Sequence, residues 1–235
     1  MPRHFGIVGV SPEGAAICYR QVFHHAGVLL EPHLHPIVSA YNLPFADYVA
    51  AIRNDDWRTV GELLRDSANK LASIGAEFCF SPDNAVQQAV QLAEVGCPIP
   101  WLKMTDAVGE ALARDGRQTV GVIGTRVVTN GSVYQTDLGI RGIKLVRPDD
   151  NDADQLESII FDELVFGKVS ESSKKTILDI VRRLGDRGCE GVILGCSEAP
   201  LAITNASSPI PVYNASDIMA EQSVRHALAG VGTPS

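Results

Sequence analysis

The sequence repeats itself once, and this internal repeat restricts the fold more than any other feature. Three anchor residues of the first half have counterparts in the second half, at separations of 115, 113 and 111 positions. The matched pairs are Gly6 with Gly121, Asp83 with Cys196, and Asp106 with Asp217. Each anchor lies in, or close behind, an apolar run of strand length. A nearly constant separation over three anchors predicts two halves of similar structure.

Both halves are expected to be α/β in class, because strand-like apolar runs alternate with amphipathic helical stretches. The predicted strands are 5–10, 36–41, 78–80, 99–104, 119–125, 143–147 and 191–195. The predicted helices are 12–23, 57–74, 85–95, 106–114, 155–166, 172–186 and a last helix ending near residue 229, before a loose tail that ends at Ser235. The acidic stretch 148–154 is predicted to be a loop.

This alternation favours two similar parallel-sheet α/β halves, related by pseudo-twofold symmetry. Residues 1–104 and 212–235 are predicted to form the first α/β domain, and residues 105–211 the second. Parallel α/β sheets bind ligands at the carboxyl ends of their strands. We therefore expect the active site in the cleft between the halves.

Two matched strand ends carry groups suited to proton transfer. The apolar run 191–195 is followed directly by Cys196, and the equivalent run in the first half leads to Asp83. One such group can remove a proton from a carbon while the other returns a proton to the opposite face. Since a free Asp has a pKa near 3.9 and a free Cys one near 8.5, Asp83 is predicted to rest as the base and Cys196 as the acid. The structural alternatives are a buried inert thiol and a helix cap.

The composition argues against several other classes of protein. The net charge is -8 and no Lys/Arg cluster occurs, which is unfavourable for nucleic-acid binding. No apolar run reaches the roughly 18 residues of a membrane span, and no signal peptide is recognised. The five cysteines include no CxxC pair, which favours a reducing cytoplasm. His33 and His35 lack a third ligand, so no metal is expected. No dinucleotide fingerprint, Walker loop or lysine in a PLP-like setting occurs, so no cofactor is expected.

The most specific motifs match a known family. They are the run Gly191–Glu198, the turn Gly124–Arg126, the stretch Phe161–Leu164 before Gly167, and Ile210–Val212. With these motifs the chain resembles the cofactor-independent aspartate/glutamate racemase superfamily. In that family two cysteines, one from each half, face each other across the α-carbon of the substrate. Cys196 matches the second of them.

The resemblance implies further site residues. The first cysteine of the family is Asp83 here, and the threonine two residues later is Ala85. Asn84 and Thr125 match positions that hold the α-carboxylate of the substrate. The remaining predicted substrate-binding residues are Ser11, Asn42, Ala85, Tyr134 and Ser197. The implied partners are a small carboxylate or amino-acid substrate and a second copy of the chain in a homodimer.

Three functions remain open at this point. The first is an amino-acid racemase or epimerase that works without PLP, with Cys196 and Asp83 as its acid/base pair. The second is a one-thiol carbanion enzyme resembling arylmalonate decarboxylase, which uses only the second cysteine. The third is a homologue that binds carboxylates or amino acids and has lost catalysis through Asp83.

Overall fold

The structure, a computed structural model, describes residues 2–229 of the 235-residue chain. The tail predicted to be loose, up to Ser235, lies outside the described residues. The chain divides into two compact units. The first contains the residues up to Lys103 and those from Met219 onward, and the second runs from Met104 to Ile218. None of the described helices is long and apolar enough to cross a membrane.

The first unit is built on a three-stranded parallel sheet with the order β2-β1-β3. Its strands are β1 (Phe5–Gly9), β2 (Val38–Asn42) and β3 (Phe78–Phe80). Its helices are α1 (Pro12–Leu29), α2 (Phe45–Arg53), α3 (Trp57–Ser73) and α4 (Val90–Glu94). Helix α3 buries Val60, Leu64 and Leu71 in the core of this unit, and the side chain of Asp56 caps its first turn.

The second unit is built on a four-stranded parallel sheet with the order β5-β4-β6-β7. Its strands are β4 (Thr119–Gly124), β5 (Lys144–Val146), β6 (Val192–Gly195) and β7 (Val212–Asn214). The helices are α5 (Met104–Arg114), α6 (Arg126–Asn130), α7 (Gln135–Ile140), α8 (Asp150–Asp162), α9 (Glu171–Asp186) and α10 (Ala215–Leu228), the last of which continues into the first unit.

The two sheets share one strand order, which confirms the predicted fold class of two similar α/β halves. In the first unit Trp101 pairs with Cys79 through a single parallel bridge, in the place that β7 occupies in the second sheet. The anchor glycines Gly6 and Gly121 also have equivalent surroundings in the two units. A Cβ at Gly6 would lie 2.8 Å from Leu71 Cδ1, and one at Gly121 would lie 2.9 Å from Leu184 Cδ1. Each glycine therefore lets a leucine of the covering helix reach the sheet.

Several predicted elements differ from the observed ones. The predicted helix 85–95 is a 3₁₀ turn, Gln87–Ala89, followed by the short α4, because the Gln87 side chain bonds backward to the carbonyls of Ser81 and Asp83. The predicted strand 99–104 is only the Trp101 bridge, since the neighbouring Pro100 has no N–H to donate. Helices α2, α6 and α7 were not predicted.

Two further differences concern boundaries. Helix α8 begins at Asp150, inside the predicted acidic loop, because the Asp149 carboxylate accepts a hydrogen bond of 2.8 Å from the backbone N–H of Asp152. Residues 212–218, predicted to belong with the first half, group with the second unit. The reason is that β7 is hydrogen-bonded to β6 within the second sheet.

Candidate active site

The second sheet brings Cys196 and Thr125 to neighbouring positions. Each follows a glycine that ends a strand, and these glycines, Gly124 of β4 and Gly195 of β6, are register partners. A Cβ at Gly124 would lie only 2.7 Å from the carbonyl oxygen of Gly195. Only glycine permits so close an approach of two strand ends. The thiol and the threonine therefore emerge side by side at the carboxyl edge of the sheet.

The thiol of Cys196 has a carboxylate partner that the sequence did not predict. Its Sγ donates a hydrogen bond of 3.0 Å to Oε2 of Glu198. Cys196 is 7 % exposed and Glu198 is 3 % exposed. The tight turn after β6 produces this contact, and a 3₁₀ helix, Ala199–Leu201, follows it directly. Such a hydrogen bond is stronger in a buried setting than in water, and it provides an acceptor for the thiol proton.

Thr125 offers a hydroxyl group suited to a ligand. Its carbonyl accepts hydrogen bonds of 2.9 Å from the backbone N–H groups of Val128 and Thr129 at the start of α6. Its Oγ1 is buried and has no hydrogen-bond partner among the described residues. Since a buried hydroxyl without a partner costs about 1–3 kcal/mol, a polar ligand at this position would be favourable. The neighbouring Ser197 is buried directly after Cys196.

In the first unit, Asp83 is held in a turn that follows β3. Its Oδ1 accepts a hydrogen bond of 3.0 Å from the backbone N–H of Ala85, and its carbonyl accepts one of 3.0 Å from the Gln87 side chain. This is an Asx-type turn rather than the cap of a regular α-helix. Burial raises the pKa of Tyr48 to about 12, and the charge of Asp83 adds to that shift. The carboxylate is partly exposed, and its role as a base stays a prediction.

The other predicted residues of the first unit also follow strands at the carboxyl edge of its sheet. Ser11 caps α1, and its hydroxyl accepts a hydrogen bond of 3.3 Å from the backbone N–H of Gly14. Asn42 ends β2, and its side chain lies against Gly9, where a Cβ would be 2.2 Å from Oδ1. It lines a surface depression of about 690 Å³. Asn84 is buried beside Asp83.

Tyr134 is completely buried in the second unit, just before α7, and burial raises the pKa of its phenol. This environment suits a packing residue. Within residues 2–229, no group of three or more His, Cys, Asp and Glu side chains is placed to hold a metal ion.

Comparison with known proteins identifies the family of this chain. The family model described as Asp/Glu/hydantoin racemase matches residues 7–223. The chain belongs to the Asp/Glu/hydantoin racemase family. This membership confirms the resemblance seen in the sequence.

Solved structures of the racemase family share the fold over nearly the whole chain. A candidate Asp/Glu racemase from Yersinia pestis is 27 % identical, with a TM-score of 0.86 over 96 % of this chain and 99 % of that one. An aspartate racemase homologue from Pyrococcus horikoshii OT3 is also 27 % identical, with a TM-score of 0.82 over 97 % and 99 %. A glutamate racemase from Francisella tularensis, in complex with D-glutamate, is 15 % identical and shares the fold, with a TM-score of 0.69 over 97 % and 81 %.

For this racemase-family chain, the structure therefore groups the predicted site residues by unit. At the edge of the second sheet lie Thr125, Cys196 and Ser197. At the edge of the first sheet lie Ser11, Asn42, Asp83, Asn84 and Ala85. Glu198 is the residue that sequence reasoning missed. Its position two residues after Cys196, in a turn behind a strand, was the available signal.

Proposed function

We propose that this protein is an amino-acid racemase or epimerase that works without PLP. Its reaction is removal of the α-proton of an amino acid and return of a proton to the opposite face. Asp83 and Cys196 serve as the acid/base pair. The observation that carries this proposal is the buried hydrogen bond from the Cys196 thiol to the Glu198 carboxylate at the end of β6. An inert packing thiol does not need an ionisable acceptor.

Glu198 explains how one thiol can work in both directions. In one direction Asp83 takes the α-proton, and the Cys196 thiol gives its proton to the other face of the carbanion. In the reverse direction Cys196 must first be a thiolate, and its proton then moves to the Glu198 carboxylate 3.0 Å away. Asp83 takes up a proton from solvent, the thiolate removes the α-proton, and Asp83 gives its proton to the opposite face of the carbanion. Glu198 then releases the former thiol proton to solvent, which restores the starting protonation states, so one proton enters and one leaves in each cycle.

The α-carboxylate of the substrate is assigned to Thr125. Its buried Oγ1, which has no hydrogen-bond partner among the described residues, can donate to a carboxylate oxygen. A hydrogen bond to a charged group is worth about 1.5–3 kcal/mol, which fits an orienting contact. Asn84 and Ser197 are further candidates for this carboxylate.

One observation favours a second candidate function. Because Oδ1 of Asp83 already accepts a hydrogen bond from the backbone N–H of Ala85, the carboxylate has a structural role that needs no catalysis. If that role is its only one, Cys196 alone would protonate a carbanion. The protein would then be a one-thiol decarboxylase of substituted malonates.

The test is turnover in deuterium oxide with both enantiomers of a panel of amino acids and with aryl- and alkylmalonates. Racemisation gives α-deuterated product of both hands by NMR and chiral chromatography, whereas decarboxylation releases carbon dioxide. Cys196→Ala should abolish either reaction. Asp83→Asn, which keeps the acceptor for Ala85, should abolish racemisation but spare decarboxylation. Ligand-induced stabilisation without turnover would instead identify a binding protein and refute the proposal.

We further propose that the enzyme is a homodimer of the cytoplasm. The resemblance to racemases supports the dimer, and the five cysteines, all present as free thiols, support a reducing compartment. Sedimentation equilibrium of the purified protein measures its oligomeric state, and fractionation of the source cells shows in which compartment it lies.

A further inference from the structure

Two cysteines of the first unit, outside the candidate active site, form a thiol pair. Cys79 is the middle residue of β3, and Cys97 lies in the loop after α4. The Cys97 side chain packs against the core cluster that contains Cys79, and the two thiols lie close enough to influence each other's ionisation. Cys79 is completely buried, whereas Cys97 is partly exposed. One thiol of the pair can therefore meet a reagent from solvent while the other is sheltered.

Backbone hydrogen bonds hold the loop of Cys97 against β3. The N–H of Cys79 donates to the carbonyl of Pro100 at 2.9 Å, and the N–H of Leu102 donates to the carbonyl of Cys79 at 2.9 Å. Trp101, between these two residues, forms the parallel bridge with Cys79. Cys97 is only three residues before this fixed segment. This backbone pairing keeps the loop that carries Cys97 next to β3.

The surroundings of the two sulfur atoms differ in a chemically useful way. The hydrogen bond from Cys79, with others from the backbone N–H of Ile99 and from Trp101, lowers the pKa of Cys97 to about 6. Burial raises the pKa of Cys79 far above the ordinary value of a thiol. The Trp101 indole N–H is buried, so its interaction with a negative charge on Cys97 is sheltered from water.

We propose that Cys97 is a site of reversible oxidation by peroxides, with Cys79 as its resolving thiol. The Cys97 thiolate attacks a peroxide oxygen, the O–O bond breaks, and the leaving oxygen departs as water or an alcohol after taking a proton. The sulfur loses two electrons to the peroxide and becomes a sulfenic acid. Cys79 then attacks this sulfur, the S–O bond breaks, and water leaves with the Cys79 proton. The product is a Cys79–Cys97 disulfide.

This modification does not depend on the proposed racemase activity. It would covalently tie β3, the strand that leads into the Asp83 turn, to the loop of Cys97. A thiol–disulfide exchange with a small thiol would restore the reduced pair.

The experiment treats the whole protein with hydrogen peroxide, blocks the remaining thiols by alkylation and maps all five cysteines by mass spectrometry. Trypsin leaves Cys79 and Cys97 in one peptide, residues 71–103, whereas cleavage after Glu94 separates them. The tryptic peptide from the oxidised protein should be lighter than the reduced, unalkylated peptide by two hydrogen atoms. The two Glu-specific peptides should be joined by a disulfide until a reductant is added. Recovery of both thiols in alkylated form after peroxide treatment would overturn the proposal.

Variants identify the roles of the two thiols. Cys97→Ser should form no disulfide at Cys79, whereas Cys79→Ser should accumulate a Cys97 sulfenic acid that dimedone traps. Circular dichroism shows whether each variant folds. If the buried hydroxyl of the Cys79→Ser variant prevents folding, Cys79→Ala takes its place. At pH 7, iodoacetamide should label Cys97 about tenfold faster than Cys189, whose pKa burial raises. Equal rates, or sulfenic acid on Cys79 in place of Cys97, would also refute the assignment.

Discussion

Replacement of Glu198 by Gln tests the proposed chemistry most sharply. The amide keeps the shape of the side chain and an oxygen that can accept the hydrogen bond from the Cys196 thiol, but it cannot take up the thiol proton. We therefore expect Glu198→Gln to fold normally and, at saturating substrate, to lower kcat in the direction that begins with a Cys196 thiolate. The direction that uses Cys196 as the acid should be less affected, because the thiol already carries its proton.

The expected magnitudes separate catalysis from stability. A hydrogen bond to a charged group contributes about 1.5–3 kcal/mol and one between neutral groups about 0.5–1.5. The loss of folding free energy should thus be about 1 kcal/mol. Loss of a positioned proton acceptor costs about 10²- to 10⁴-fold in rate, which corresponds to roughly 3–5 kcal/mol of barrier. The contact is 3.0 Å long and buried, so water cannot easily replace the carboxylate.

The assay compares kcat at saturating concentrations of each enantiomer, over a range of pH, for the wild type, Glu198→Gln and a control, Glu190→Gln. Glu190 is a carboxylate of the same unit whose Oε2 accepts a hydrogen bond of 2.6 Å from the backbone N–H of Gln118. The control should keep both rates. If Glu198→Gln retains both rates within about threefold, or loses both equally with an unchanged pH profile, Glu198 does not receive the thiol proton.

Three other predictions follow from single contacts. Thr125→Val should raise KM about 10- to 100-fold without lowering the melting temperature, because the hydroxyl is proposed to bind substrate and has no partner among the described residues. A large loss of stability would contradict this. Gly121→Ala should cost about 1–3 kcal/mol in denaturant unfolding, since its methyl group would lie 2.9 Å from Leu184 Cδ1, while Gly139→Ala, with open space around it, should not destabilise. Burial and a neighbouring arginine lower the pKa of His226, so the unfolded chain binds a proton at this residue more readily than the folded chain does. The free energy of unfolding should therefore fall as the pH decreases below about 6.5. His226→Gln should remove part of that loss.

The internal repeat could be recognised in the sequence because the tight packing of a helix on each sheet requires glycine at the matched positions. Gly6 and Gly121 each admit a leucine of the covering helix, and no larger residue serves that purpose. The two similar halves were predicted from such anchors. The family membership followed from the motif that contains Cys196, whose residues are adjacent in the chain.

The features that were missed depend on side chains that bond to the backbone or to each other. The helix expected after Asp83 is interrupted because Gln87 bonds to carbonyls upstream, and no periodicity of apolar residues reveals that competition. The same holds for the carboxylate of Asp149, which starts α8 within an acidic stretch. The contact of Cys196 with Glu198 depends on the geometry of one turn, which a sequence pattern does not specify.

The division of the chain between the two units bears on how the protein is made. The second unit is one continuous segment, whereas the first needs residues from both ends of the chain. The backbone N–H of Arg3 donates to the carbonyl of Ala227 at 2.8 Å, and His226 packs edge-on against Phe78 at 4.7 Å. During synthesis on the ribosome, β1 to β3 must therefore wait without their last helix while the second unit, already complete, can fold. A chaperone that binds exposed apolar sheet surface would meet the N-terminal segment of the nascent chain first.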